Sequence, residues 1–205
     1  FGPSWPDEAL QAGYTGTNKI DLLRRAFSFL DILEKDGAFK ADWKGLDYGC
    51  GWGRFASTSL SKGTANQLNL CDAWQITLDH ISKLGYQNHI FKVPSLLTKE
   101  SIPEKTYDFI LSFSVFTHLS PRSFDKNIPV LLDGLSEGGT LYLTVRHDEF
   151  ITHKYPERKK EIESVLKNDG IVFLDSGGDM NKENLFGDTI IVPEYLEKYG
   201  NVRYL

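Results

Sequence analysis

The 205-residue chain has little of what several common architectures require. It carries two cysteines, Cys50 and Cys71, too few for a disulfide framework at this length. Both read as reduced and small, in a cytoplasmic protein. No apolar run is long enough to span a bilayer, and the first residues lack the basic-then-apolar pattern of a signal peptide. Net charge is −5 and the basic residues are scattered, which argues against a nucleic-acid partner. The histidines at 80, 89, 118, 147 and 153 show no H-x-x-x-H spacing and the cysteines no C-x-x-C, so no metal site is expected. There is no G-x-S-x-G elbow, no Walker A lysine, no repeat and no low-complexity tract. Nothing sets the oligomeric state.

What remains suits one domain over residues 1–205, with hydrophobic residues at 40% and aromatics at 13% to fill its core. Residues 1–40 read as an arm rich in Gly, Pro and aromatics, then a helix from Asp21 to about Lys35, capped by Thr17 or Asn18. Residues 41–146 alternate strand and helix. Strands are expected at about 43–48, 67–71, 89–93, 107–113 and 140–145, and helices at about 53–60, 74–84 and 122–135. The run Tyr107-Asp-Phe-Ile-Leu-Ser-Phe113 suits a sheet covered on both faces. Such alternation predicts an α/β, doubly wound, mainly parallel sheet. Residues 147–205 are looser: a charged helix at 157–167, strands at 171–174 and 189–192, a helix at 193–199, and a strand just beginning at 201–205.

The sequence turns on Asp47-Tyr-Gly49-Cys50-Gly51-Trp-Gly53-Arg54. Glycines at 49, 51 and 53 follow a strand and precede a helix. Glycine reaches positive φ at low strain and lets the backbone approach a ligand closely. A dinucleotide fingerprint, G-x-G-x-x-G, would place its third glycine at 54, where this chain has arginine. The acid-x-Gly-x-Gly-x-Gly pattern instead resembles the first motif of class I S-adenosylmethionine-dependent methyltransferases.

That resemblance implies a Rossmann-like, seven-stranded-type sheet ending in an antiparallel hairpin. With a strand only beginning at 201–205, the hairpin is expected to be incomplete. The implied cofactor is S-adenosylmethionine. An acid at the end of the second strand should grip its ribose, and Asp72 stands there; helix N-capping is the bland role for the same residue. Ala73 and Trp74 follow it. Many family members carry an acid near the end of strand three; Lys92-Val93-Pro94-Ser95 departs from this and leaves the adenine to apolar contact and backbone groups. The string Ser112-Phe113-Ser-Val-Phe-Thr-His118-Leu resembles the family's methyl-transfer edge, with Ser112 and Phe113 beside the methionine portion. His118 would orient an acceptor or take its proton, or simply bond to backbone. Arg146 would hold an acidic acceptor bidentately, or sit in a solvated loop. Tyr14, Thr15 and Gly16 resemble a lid element over the cofactor, or form an ordinary turn. Asp47, Gly49, Cys50, Gly51, Gly53 and Arg54 complete the implied cofactor set.

By analogy the acceptor is a small molecule or a sugar or glycan. Two other classes stay open: a non-catalytic module that keeps the fold and the nucleoside ligand, and an NAD(P)-dependent oxidoreductase, against which the glycine at 53 counts.

Overall fold

The computed structural model describes residues 5–16, 19–40, 42–59, 67–86, 89–175 and 183–205. The first helix among the described residues, α1 (Glu8–Thr15), stands where an arm was expected. Its ends carry clear signals. The Asp7 carboxylate accepts from the Leu10 N–H at 2.8 Å, and Gly16 closes the helix at φ 68°. Buried Gln11 ties it down: its amide donates to Pro6 O at 2.8 Å, and its Oε1 accepts from the Lys19 N–H at 3.0 Å. Thr17 and Asn18, the expected caps of the next helix, lie outside the described residues. That helix, α2 (Lys19–Lys35), buries Leu22, Ala26, Leu30 and Leu33, one stripe at helical spacing.

The core is a parallel sheet of β1 (Gly45–Tyr48), β2 (Leu68–Asp72), β3 (Ile90–Lys92), β4 (Tyr107–Ser112) and β5 (Leu135–Leu143), in the order β3-β2-β1-β4-β5. Between them run α3 (Arg54–Ser59), α4 (Gln75–Ser82) and α5 (Pro121–Asp133). β1 is buried along its whole length, because α2 and α3 cover one face of the sheet and α5 the other. Leu70, Phe109 and Leu111 pack on the first side, and Leu46, Ile110, Phe124 and Leu131 on the second. At about 1.5–3 kcal/mol per fully buried large apolar side chain, these two layers dominate the stability. Strand order reverses between β1 and β4, which opens a crevice at their carboxyl ends.

Three features differ from expectation. β5 begins at Leu135 and not near Thr140. Gly138 at φ +76° shifts the register against β4, and an ideal Cβ on Gly139 would lie 2.9 Å from Tyr107 O, so the Glu-Gly-Gly stretch forms a kinked part of the strand. A short helix, α6 (Glu149–Lys154), follows β5, anchored by fully buried Ile151. Beyond α7 (Lys159–Asp169), strands β6 (Ile171–Asp175) and β7 (Gly187–Ile191) pair antiparallel in a sheet of their own.

Among the described residues the sheet has five strands, with the hairpin separate, where a seven-stranded type was expected. The reason lies in β7's partners. Gly187 and Thr189 donate to His118 O (2.8 Å) and Thr117 O (2.9 Å), and Ile191 donates to Arg146 O (3.0 Å). The hairpin thus lies across the carboxyl ends of β4 and β5 instead of extending the sheet from the edge of β5. Residues 201–205 form no strand. They are held by an ion pair from Arg203 to Asp36, whose other carboxylate oxygen accepts from Tyr142 Oη at 2.6 Å.

Candidate cofactor cleft

The crevice is a cleft of about 1400 Å³, bounded by the β1 and β2 tips, α1, the 113–119 stretch and residues 183–186. That exceeds the ~300–1,000 Å³ of a usual small-ligand pocket and leaves room for two molecules side by side. Its floor is the glycine turn. Gly49, Gly51 and Gly53 sit at φ +76°, +56° and +84°, all left-handed. Gly49 N–H and Cys50 N–H both donate to Cys71 O, at 2.9 and 3.0 Å, which ties the turn to the tip of β2. Space is as tight as conformation: a Cβ on Gly49 would lie 2.3 Å from Val115 Cγ2, and one on Gly53 2.8 Å from Ile81 Cδ1.

Asp72 completes the tie. One carboxylate oxygen accepts from the Gly51 N–H at 3.1 Å, the other from the Trp74 N–H at 2.9 Å. The helix-cap role does not hold: the cap of α4 is Trp74, with no side-chain bond. Burial pushes the Asp72 carboxyl above its ordinary value, against the pull of backbone donors at Trp74, Gly51 and Ala73. Asp72 also lines the cleft, and an ionised carboxylate retains acceptor capacity beyond these backbone donors.

Asp47 and Arg54 stand on the inner wall. Asp47 is 1% exposed and its Oδ2 has no hydrogen-bond partner. Burial raises its pKa to about 8; Arg54 pulls it down and Asp72 pushes it up. Arg54 stacks over Phe55 and Phe113, at 4.8 and 4.5 Å from the ring centroids, and burial lowers its pKa to about 10. Trp52 is buried with its Nε1 unpartnered, edge-on to Trp5 at 5.1 Å.

At the other end of the cleft stands a polar cluster. His118 Nδ1 lies 2.8 Å from Gly187 O and its Nε2 3.2 Å from Arg146 Nη2. A carbonyl only accepts and a guanidinium only donates, so His118 is the neutral tautomer with hydrogen on Nδ1. Burial and then Arg146 hold its pKa below the ordinary value. Its ring stacks on Phe186 at 5.0 Å, and Phe186 meets Trp74 at 5.3 Å. Arg146 Nη1 donates to Thr117 O (2.6 Å) and to Asp188 Oδ1 (2.5 Å). Asp188 also takes Lys154 Nζ at 2.8 Å and Tyr155 Oη at 2.5 Å. Burial alone would raise the Asp188 pKa, but Lys154, Tyr155 and Arg146 outweigh it and hold the carboxyl below its usual range.

Among the residues singled out from sequence, the cleft brings together Thr15, Gly16, Asp47, Gly49, Cys50, Gly51, Arg54, Asp72, Ala73, Trp74, Pro94, Phe113, His118 and Arg146. Gly53 lies behind the turn against Ile81 and Tyr86. Val93 is buried in the core, and the adjoining wall comes from Pro94, Ser95 and Leu96. Ser112 is fully buried with its Oγ unpartnered. Tyr14 belongs to α1 by its backbone; its side chain lies outside what is described. Sequence reasoning missed Asp188, Phe186 and Arg25. Asp188 had one legible signal, a lone acid inside the apolar strand pattern at 186–191. Among the described residues, no group of three His, Cys, Asp or Glu is arranged to hold a metal ion.

No family model and no curated protein matches the chain. Solved structures do. The PH0226 protein of Pyrococcus horikoshii OT3 superposes with TM-score 0.59 at 16% identity, over 75% of this chain and 72% of its own. A SAM-dependent methyltransferase from Archaeoglobus fulgidus gives 0.55 at 15% identity, over 85% and 80%. The plantazolicin methyltransferase BpumL, solved with a triazolic desmethyl-plantazolicin analog and SAH, gives 0.50 at 16% identity, over 81% and 72%. The chain shares the α/β Rossmann-like fold of these structures, the last two of them methyltransferases.

Proposed function

We propose that the protein transfers a methyl group from S-adenosylmethionine to a small-molecule or sugar acceptor. One observation carries this reading. A three-glycine turn at the β1 tip is pinned to the neighbouring strand by Asp72, which lines a cleft at the strand-order reversal. That arrangement fits a nucleoside with two vicinal hydroxyls. Asp47, whose Oδ2 has no hydrogen-bond partner, and Arg54 on the same wall fit a ligand carrying both an ammonium and a carboxylate. The neighbouring structures' fold supports the same reading.

In this reading the turn 49–51 and Asp72 bind and orient the cofactor, which supplies a methyl carbon already activated on a sulfonium. Trp74, Pro94, Ser95 and Leu96 would flank the base. Thr15 and Gly16 cover the site from α1. Phe113 and Val115 exclude water near the reacting atoms. His118 and Arg146 stand at the acceptor end. Arg146 fixes the imidazole, and His118 accepts an acceptor proton at Nε2 only by releasing Arg146. The two free cysteines fit a reducing, cytoplasmic setting.

Isothermal titration of the full chain with S-adenosylmethionine tests the first half, and tritiated-methyl transfer to a panel of sugars and small metabolites the second. No binding to well-folded protein refutes the proposal. The occupied Nε2 of His118 favours one other reading, a module that binds the nucleoside and transfers nothing. Tight binding with no transfer to any acceptor would select it.

A further inference from the structure

Around His118 the cleft wall is apolar. Leu119, Leu185 and Phe186 line it, and it continues past Phe186 to Trp74 and Ile76. The rings form a chain: His118 stacks on Phe186 at 5.0 Å with 16° between their planes, and Phe186 meets Trp74 at 5.3 Å. Trp74 and Ile76, at the start of α4, are 37% and 56% exposed. Neighbouring large apolar side chains left open to water on a cleft wall mark surface that a ligand covers.

The polar groups at the same end are spent on one another. Arg146 Nη1 bonds Thr117 O and Asp188, Nη2 meets His118 Nε2, and the guanidinium face lies on Phe150 at 4.2 Å. The fork that would clasp a carboxylate with two parallel bonds is therefore occupied, which speaks against an acidic acceptor. Lys154 and Tyr155 also turn to Asp188. Glu183, just before Leu185, adds a second carboxylate to the cleft wall. Two cations thus meet two carboxylates, and with His118 neutral these groups carry no net charge. A pyranose would need a partner for each hydroxyl it buries, and Arg146, Asp188 and Tyr155 are already committed.

We propose that this end of the cleft takes an uncharged, flat aromatic acceptor, its ring against Phe186 and its hydroxyl toward His118. This rests on the methyl-transfer reading above and narrows its acceptor. Titration calorimetry on the full chain saturated with S-adenosylhomocysteine tests it with three probes: β-naphthol, β-naphthoate, which bears a carboxylate on the same rings, and methyl glucoside, which is uncharged and rich in hydroxyls. β-Naphthol should bind at least about 10-fold more tightly than either of the others. Phe186→Ala should weaken it about 3- to 10-fold. Ile76→Glu, at an exposed position in the first turn of α4 where a carboxylate suits the helix, gives the same readout should Phe186→Ala fail to fold; it should weaken β-naphthol about 3-fold. Absent β-naphthol binding, equal binding of either other probe, or β-naphthol binding that neither variant weakens overturns the assignment. So does β-naphthol affinity that falls as S-adenosylhomocysteine is raised, which would place the rings in the nucleoside's own seat. If S-adenosylhomocysteine does not bind wild-type protein, the cofactor reading falls, and the same probes titrated into the free protein and the two variants still decide the ring site.

Discussion

Replacing Gly49 by alanine separates two physical effects at the centre of the cleft. The backbone there sits at φ +76°, where an L side chain costs about 1–2 kcal/mol. The new methyl would lie 2.3 Å from Val115 Cγ2 and 3.4 Å from Val115 Cβ. Overpacking of this kind adds about 1–3 kcal/mol. Gly49→Ala should therefore destabilise the protein by about 2–5 kcal/mol. Val115→Ala removes the colliding atom and leaves Cβ at ordinary contact distance. In the double variant the steric part should vanish while the backbone part stays. Urea unfolding followed by tryptophan fluorescence on the four proteins measures this, and the coupling should be about 1–3 kcal/mol in favour of the pair. A coupling indistinguishable from zero would show that the 113–119 stretch moves aside freely, and would refute the tight packing of Val115 against the turn.

Asp72→Ala removes the acceptor for two backbone N–H groups as well as the oxygens facing the cleft. Nucleoside binding should fall at least 100-fold by calorimetry, at about 1.5–3 kcal/mol per charged hydrogen bond. Asp47 binds its proton more tightly folded than unfolded, so wild-type stability should decline as pH rises from about 4 toward about 8. Asp47→Asn removes that decline; its stability advantage in urea should grow between pH 5 and pH 8 and then level off. Asp188→Ala leaves Arg146 and Lys154 without their shared carboxylate and should cost about 3–5 kcal/mol. The Asp188 carboxyl titrates below its ordinary value when folded, so its contribution is present above about pH 4 and lost as pH falls through the lowered value. An acid-unfolding midpoint in Asp188→Ala equal to that of wild type would contradict this.

Much of the sheet was legible in the sequence because its signals are local. The run 107–113, the strand before Gly49 and the acid at 72 each announce themselves within a few residues, and the tie between Gly51 and Asp72 spans a predictable βαβ unit. The first helix was also legible in principle: Asp7 before it and Gly16 after it are a cap and a stop, obscured by neighbouring Pro and Trp. What stayed hidden depends on tertiary contact. Asp188 matters because Arg146, Lys154 and Tyr155 converge on it from β5's end, α6 and the turn beyond. The hairpin's place was unreadable for a similar reason. Its pairing pattern is that of any hairpin, and only the backbone groups of Thr117, His118 and Arg146 decide where it docks.

That docking makes β7 a structural dependant of the cleft. Three of its amide protons are shielded by carbonyls that belong to the acceptor-end segments and not to its own hairpin partner. Loosening either segment would bare those amides to solvent, so their exchange with deuterium reports on the far wall of the cleft from a position on its roof. A molecule that stiffens residues 117–118 would slow exchange at Gly187 and Thr189 without touching either one.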